Sequence, residues 1–150
     1  MASAAVKRAQ RELGELRANP LTNIEVETDG DNLLLWNVTM TGPAGPYEGG
    51  KFRLKVKFGY DFPFKAPSLK FATKMYHPNI DSDGNICIGV LKSEAWKPST
   101  KMASVLLSLY DLVENPNPDD PLVTSIAEQY ATDRPAFNKK AAEYTKMYAV

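Results

Sequence analysis

Apolar and polar positions divide the chain into a helical start, a run of alternating strands, an aperiodic middle and a helical end. Val6, Ala9, Leu13 and Leu16 recur at helical steps and make one apolar stripe, with Lys7, Arg8, Arg11, Glu12 and Glu15 mostly off it. Asn19-Pro20 stops this helix, because proline drives the residue before it out of helical conformation. The period then falls to two. Residues 24–27 make a weak strand. In the next, Leu34, Trp36, Val38 and Met40 alternate with Leu35, Asn37 and Thr39. After a loop rich in Gly and Pro, Phe52, Leu54, Val56 and Phe58 alternate with Lys51, Arg53, Lys55 and Lys57, and residues 68–72 make a fourth strand. One dry and one wet face predict an antiparallel sheet, and the short connections predict a meander.

Residues 75–97 show little regular period, and a long irregular stretch inside a compact domain is usually functional. Helical spacing returns with Met102, Val105, Leu106, Leu109, Leu112 and Val113. It returns again with Phe137, Ala141, Tyr144 and Tyr148, in a last helix from about Asp133 with Thr132 as its cap. Between them Asn115-Pro116-Asn117-Pro118-Asp119-Asp120-Pro121 breaks the chain. Asp120 as N-cap acceptor, followed by Pro121 at the first helical position, predicts a third helix starting there. The segregated order predicts an α+β fold: N-terminal helix, four-stranded antiparallel meander, irregular segment, three C-terminal helices. With 150 residues and no repeat or linker, residues 1–150 read as a single domain.

Composition narrows the classes. With 18 basic and 18 acidic residues, no global field draws the chain to nucleic acid or to an anionic membrane. No apolar run approaches the roughly 18 residues that cross a bilayer, and the N-terminus lacks the apolar core of a secretory signal. One His and one Cys are too few for an ordinary structural zinc site, so no metal and no cofactor are expected. A lone cysteine offers no intrachain disulfide, which fits a reducing compartment, cytosol or nucleus.

That cysteine, Cys87, is either a small buried hydrophobe or a nucleophile. It follows a polar turn in the aperiodic middle, ten positions after the single histidine, His77, in the run Tyr76-His77-Pro78-Asn79-Ile80-Asp81-Ser82-Asp83-Gly84-Asn85-Ile86-Cys87. The marks His77-Pro78-Asn79, Gly84-Asn85-Ile86-Cys87, Trp96-Lys97-Pro98 and Asn117-Pro118-Asp119-Asp120-Pro121-Leu122 come in order. Pro46-Tyr47-Glu48-Gly49-Gly50 and Phe62-Pro63-Phe64-Lys65-Ala66-Pro67 precede them. In these marks, spread almost end to end, the chain resembles the ubiquitin-conjugating enzymes.

The resemblance implies that Cys87 accepts ubiquitin as a thioester from an activating enzyme and passes it to a substrate lysine or a ligase cysteine. It gives Asn79 one of two roles, stabilising the oxyanion of the aminolysis step or supporting the active-site loop. It makes His77 a structural residue that orders the loop. It places Asp120 beside the thiol, to position an acceptor lysine and help depress its pKa by desolvated contact. Ligases and activating enzyme would bind through Lys7, Arg8, Arg11, Phe64, Pro98 and Ser99. Donor ubiquitin would fold back onto Leu107 of the second helix, and the enzyme would be monomeric. A carrier for another ubiquitin-like modifier and a non-catalytic ubiquitin-binding adaptor of the same fold are the alternatives. The chain departs from the family pattern in three places. Gly89 stands where the lysine-reactive subgroup has an aspartate. The insertion Lys92-Ser93-Glu94-Ala95-Trp96-Lys97-Pro98 resembles a subgroup that serves ligase cysteines, although that subgroup has histidine in place of Asp120. Glu25 replaces the serine through which some members bind a second ubiquitin.

Overall fold

The computed structural model describes residues 3–150. Helix α1 (Ala4–Ala18) is followed by strands β1 (Ile24–Asp29), β2 (Asn32–Thr41), β3 (Lys51–Lys57) and β4 (Ser68–Phe71). Helices α2 (Met102–Glu114), α3 (Thr124–Thr132) and α4 (Arg134–Tyr148) close the chain. The strands form an antiparallel meander in the order β1-β2-β3-β4. The predicted α+β order is therefore the observed one. Register follows the pleat: Trp36 faces Val56, Val38 faces Leu54 and Met40 faces Phe52, so their side chains share the dry face. Lys51, Arg53, Lys55 and Lys57 lie exposed on the other face.

Helix α1 departs from its predicted stripe. Ala5, Ala9, Leu13 and Leu16 are buried, Val6 is only half-buried, and Glu12 is buried among them. Glu12 is inside because it terminates another element. Helix α2 has no side-chain cap of its own at Lys101. Glu12 Oε1 accepts the Met102 N–H at 2.7 Å, while Arg8 Nε lies 3.3 Å from Oε2 and Lys101 Nζ 3.8 Å from it. A carboxylate borrowed from α1 thus meets the positive end of α2.

The C-terminal half also corrects the expected boundaries. Helix α3 starts at Thr124, not at Asp120-Pro121, because the Leu122 and Val123 N–H groups both donate to the Pro78 carbonyl at 2.9 and 3.1 Å. Those bonds hold residues 120–123 out of helical geometry and leave the Asp120 side chain free of capping. Asp133, rather than Thr132, caps α4 by accepting the Ala136 N–H at 3.2 Å. Thr132 is the last residue of α3, its hydroxyl donating to the Glu128 carbonyl. On α4, Phe137, Ala141 and Thr145 are buried, while Tyr144 is half-buried and Tyr148 exposed. On α2, Leu112 is half-buried. Residues 75–97 contain one 3-10 turn (Gly89–Leu91) and isolated bridges, with no strand or α-helix.

Glu12→Ala removes both the cap of α2 and the partner of a partly buried guanidinium. It is expected to lower stability by about 3 kcal/mol, read as a lower urea midpoint with an unchanged slope.

Candidate active site

The aperiodic middle is built by hydrogen bonds rather than by repeating structure. Asp81 Oδ1 accepts the N–H groups of Asp83 and Asn85, and Oδ2 accepts the Asn85 side-chain amide, which closes a tight turn. Gly84 completes the turn at φ +86°, and a Cβ there would stand 1.9 Å from the Phe71 carbonyl oxygen. The turn can therefore lie against β4, with the Phe71 N–H donating to the Gly84 carbonyl at 2.9 Å. The chain emerges from it into Cys87, whose N–H donates to the Asn79 carbonyl at 2.9 Å.

His77 is fully buried. Its Nδ1 accepts the Asn79 N–H at 3.0 Å, and its Nε2–H donates to the Leu112 carbonyl at 2.8 Å. A carbonyl only accepts and an amide N–H only donates, so the ring is the neutral Nε2–H tautomer. Burial pushes its pKa down to about 4, against the weaker upward pull of the Leu112 and Val113 carbonyls. With both nitrogens engaged, the ring holds α2 to the loop and has no free lone pair for a passing proton. Tyr47 packs beside it, ring centroids 5.7 Å apart, and donates its buried hydroxyl to the Tyr76 carbonyl at 2.5 Å. The Pro46-Tyr47 mark thus has a structural reason.

Asn79 is almost fully buried, and both of its amide hydrogens are engaged. Nδ2 donates to the carbonyls of Asn117 at 2.8 Å and Asp120 at 3.0 Å, and Oδ1 accepts the Asn117 N–H at 2.9 Å. Of the two roles open to it from sequence, loop support is the geometry observed; the oxyanion role would need one of these bonds released.

These bonds bring Cys87, Asn79 and Asp120 together. Cys87 is a free, half-exposed thiol, and its Sγ–H donates to Asp120 Oδ2 at 3.4 Å. The same oxygen accepts from Lys92 Nζ at 2.5 Å. Desolvation, then the bond to Asp120 and its charge, raise the thiol above its ordinary pKa, while the Lys92 charge pulls it back. The Asp120 carboxyl is held below its usual range, first by the Lys92 bond and then by the thiol. Lys92 was visible in the sequence only as part of an insertion; nothing in its spacing pointed to Asp120.

The binding residues fall into two kinds. Lys7, Arg11, Phe64, Pro98 and Ser99 are exposed, Phe64 at 74%. Arg8 is not free: its guanidinium donates to the carbonyls of Pro98 at 2.8 Å and Thr100 at 3.2 Å. Trp96 Nε1 donates to the Pro63 carbonyl at 2.8 Å. Arg8 and Trp96 therefore brace α1, the loop carrying Phe64 and the loop carrying Pro98 and Ser99 into one surface. Leu107, on the outer side of α2, is 50% exposed. Among the described residues, no three of His, Cys, Asp or Glu gather as metal ligands, and no helix is long and apolar enough to cross a membrane.

A braced loop presents one thiol beside a carboxylate, on a four-stranded meander flanked by helices. Comparison gives the class. Residues 8–145 match the family described as Ubiquitin-conjugating enzyme. The chain is 47% identical over 144 residues to Ubiquitin-conjugating enzyme E2 14 of Schizosaccharomyces pombe, covering 95% of this chain and 93% of that protein. The chain belongs to the ubiquitin-conjugating enzyme family. It is a ubiquitin transferase, working in general with ubiquitin, an activating enzyme and ligases; the other-modifier and adaptor alternatives are not favoured.

Burial of neutral His77 makes stability depend on pH. The folded ring stays neutral down to about 4, while the unfolded ring takes a proton below its ordinary 6.5. The contribution is complete above pH 6.5 and is lost as pH falls toward about 4. It amounts to about 3 kcal/mol in all, of which about 2 is gone by about pH 5. NMR of this single imidazole is expected to show no protonation of the folded ring above about pH 5, while the urea midpoint already falls.

Proposed function

We propose that Cys87 is the carrier sulfur and that Asn79 and Asp120 prepare its thioester for attack by lysine. The observation that carries this reading is the contact of the half-exposed Cys87 Sγ with Asp120 Oδ2 at 3.4 Å, on a loop braced by the buried Asn79 amide. In charging, the Cys87 thiolate attacks the carbonyl carbon of ubiquitin's C-terminal thioester on the activating enzyme. A new C–S bond forms, and the activating enzyme's thiolate leaves. In discharge, a lysine ammonium loses a proton to solvent. Its nitrogen attacks the same carbon, C–N forms and C–S breaks, the nitrogen sheds its second proton through solvent, and Cys87 leaves as thiolate and takes up a proton in exchange.

The chemistry suits a carrier better than a hydrolase. His77 offers no free base to activate a water. The incoming thioester is itself activated, so a small thiolate fraction suffices for charging. Asp120 supplies the negative charge that receives and positions an ammonium, which favours lysine as acceptor; contrary to the expectation from sequence, that charge raises a lysine's pKa, as it does for Lys92, so Asp120's part is positioning. The absence of an aspartate at Gly89 leaves this task to Asp120.

Activating enzyme and ligases would dock on Lys7, Arg11, Phe64, Pro98 and Ser99, with Arg8 as the internal brace. Exposed Phe64 is mounted between Pro63 and Pro67 and serves as the anchor. Donor ubiquitin would rest on Leu107. The enzyme would act as a monomer, in cytosol or nucleus, where a lone thiol stays reduced.

Mixing the protein with activating enzyme, ATP and ubiquitin is expected to give a thiol-sensitive band heavier by one ubiquitin on a non-reducing gel. Cys87→Ser is expected to give a thiol-resistant oxyester instead; an unchanged thiol-sensitive adduct would remove Cys87 from the mechanism. Asn79→Ala and Asp120→Ala are expected to charge but to discharge to free lysine at least about tenfold more slowly, Asn79→Ala because residues 117–120 lose the brace that sets Asp120 beside the thiol. Normal discharge by both variants would end their assignment to aminolysis.

A further inference from the structure

Asp120 Oδ2 meets the carrier sulfur at 3.4 Å. That oxygen is already taken by an ammonium, Lys92 Nζ, at 2.5 Å. An acceptor lysine must bring its nitrogen within about 3–3.5 Å of the carbonyl carbon bonded to Sγ. That approach puts its own ammonium against the oxygen that faces the sulfur. Resident and acceptor cations are the same chemical group, and a place that fits one fits the other.

We propose that Lys92 is a resident occupant of the acceptor-amine seat on Asp120, and that discharge to lysine requires its displacement. This rests on the role assigned to Asp120 above. Three features make Lys92 a displaceable occupant rather than a fixed part of the site. Both partners of the pair are about half exposed, 42% and 54%, so solvent and salt weaken it. The backbone of Lys92 is held by its N–H bond to the Gly89 carbonyl at 3.1 Å, so the flexible stem does the moving. Glu94 also acts weakly on the Lys92 charge, so Asp120 is not its sole electrostatic neighbour. The competition is therefore mild, and it discriminates. A lysine presented at high local concentration displaces Lys92, whereas a stray lysine does so poorly.

The test is single-turnover discharge of the purified ubiquitin thioester over a series of free lysine concentrations, with hydroxylamine, which is neutral near pH 8, as second acceptor. Lys92→Met is expected to lower the half-saturating lysine concentration about two- to fivefold with little change in maximal rate. Below saturation it raises the second-order rate by the same factor. Lys92→Arg, which keeps the cation, is expected to hold the value at or above that of the unsubstituted protein. Discharge to hydroxylamine is expected to move with neither variant. An unchanged or higher half-saturating concentration in Lys92→Met overturns the proposal. So does an equal gain toward hydroxylamine, or a fall in maximal rate alone, which would make Lys92 an activator. Asp120→Asn separates the two layers. Normal discharge to lysine by Asp120→Asn means that the seat itself is not Asp120. Slow discharge by Asp120→Asn, together with an unmoved Lys92→Met, removes only the resident competitor.

Discussion

The side-chain amide of Asn79 is the joint through which two distant pieces of chain become one site. One piece carries Cys87, tied to the Asn79 carbonyl; the other, residues 117–120, carries Asp120 and is held by the Asn79 side chain. The joint is buried, and in a dry setting a missing partner is costly, so the bonds specify one loop geometry rather than several. His77 and Tyr47 secure it from beneath, by accepting the Asn79 N–H and by fixing the Tyr76 carbonyl. Without that chain of bonds, a surface thiol and a surface carboxylate would have no reason to meet.

The charge balance at the surface changes in the course of the proposed reaction. In the uncharged protein Oδ2 of Asp120 has two donors, the thiol and Lys92. Formation of the thioester removes the sulfur's hydrogen and hence one of them. The carboxylate then keeps Lys92 as its remaining side-chain donor, and an acceptor amine enters by displacing it. The Arg8 and Trp96 braces meanwhile keep the docking surface independent of this exchange, because their bonds run between α1 and the two loops and not to Asp120.

The sheet was legible because alternation in Phe52, Leu54, Val56 and Phe58 reports a physical face, and that face is dry in the structure. Cys87 was legible because it is the single thiol, and Asn79 and Asp120 because of the motifs around them. Other features depended on tertiary partners that local spacing cannot report. Glu12 looks like a solvent-facing residue until the unfilled cap of α2, ninety positions away, is set beside it. The start of α3 moved because the Pro78 carbonyl claims two N–H groups that a helix would otherwise have used. Arg8 counts as surface charge by sequence and as a brace by geometry. Lys92 carries no periodic signal and stands out only as part of an insertion, and only the fold carries it to Asp120.

The raised pKa of Cys87 has a further consequence. Peroxide attacks thiolates, and the ladder from sulfenic to sulfonic acid begins there. A sulfur kept protonated by desolvation and by the neighbouring carboxylate spends little time in the vulnerable form. With no second cysteine in the chain to form a rescuing disulfide, the thiolate fraction sets how fast this sulfur is lost to oxidation, and its surroundings act to lower that fraction.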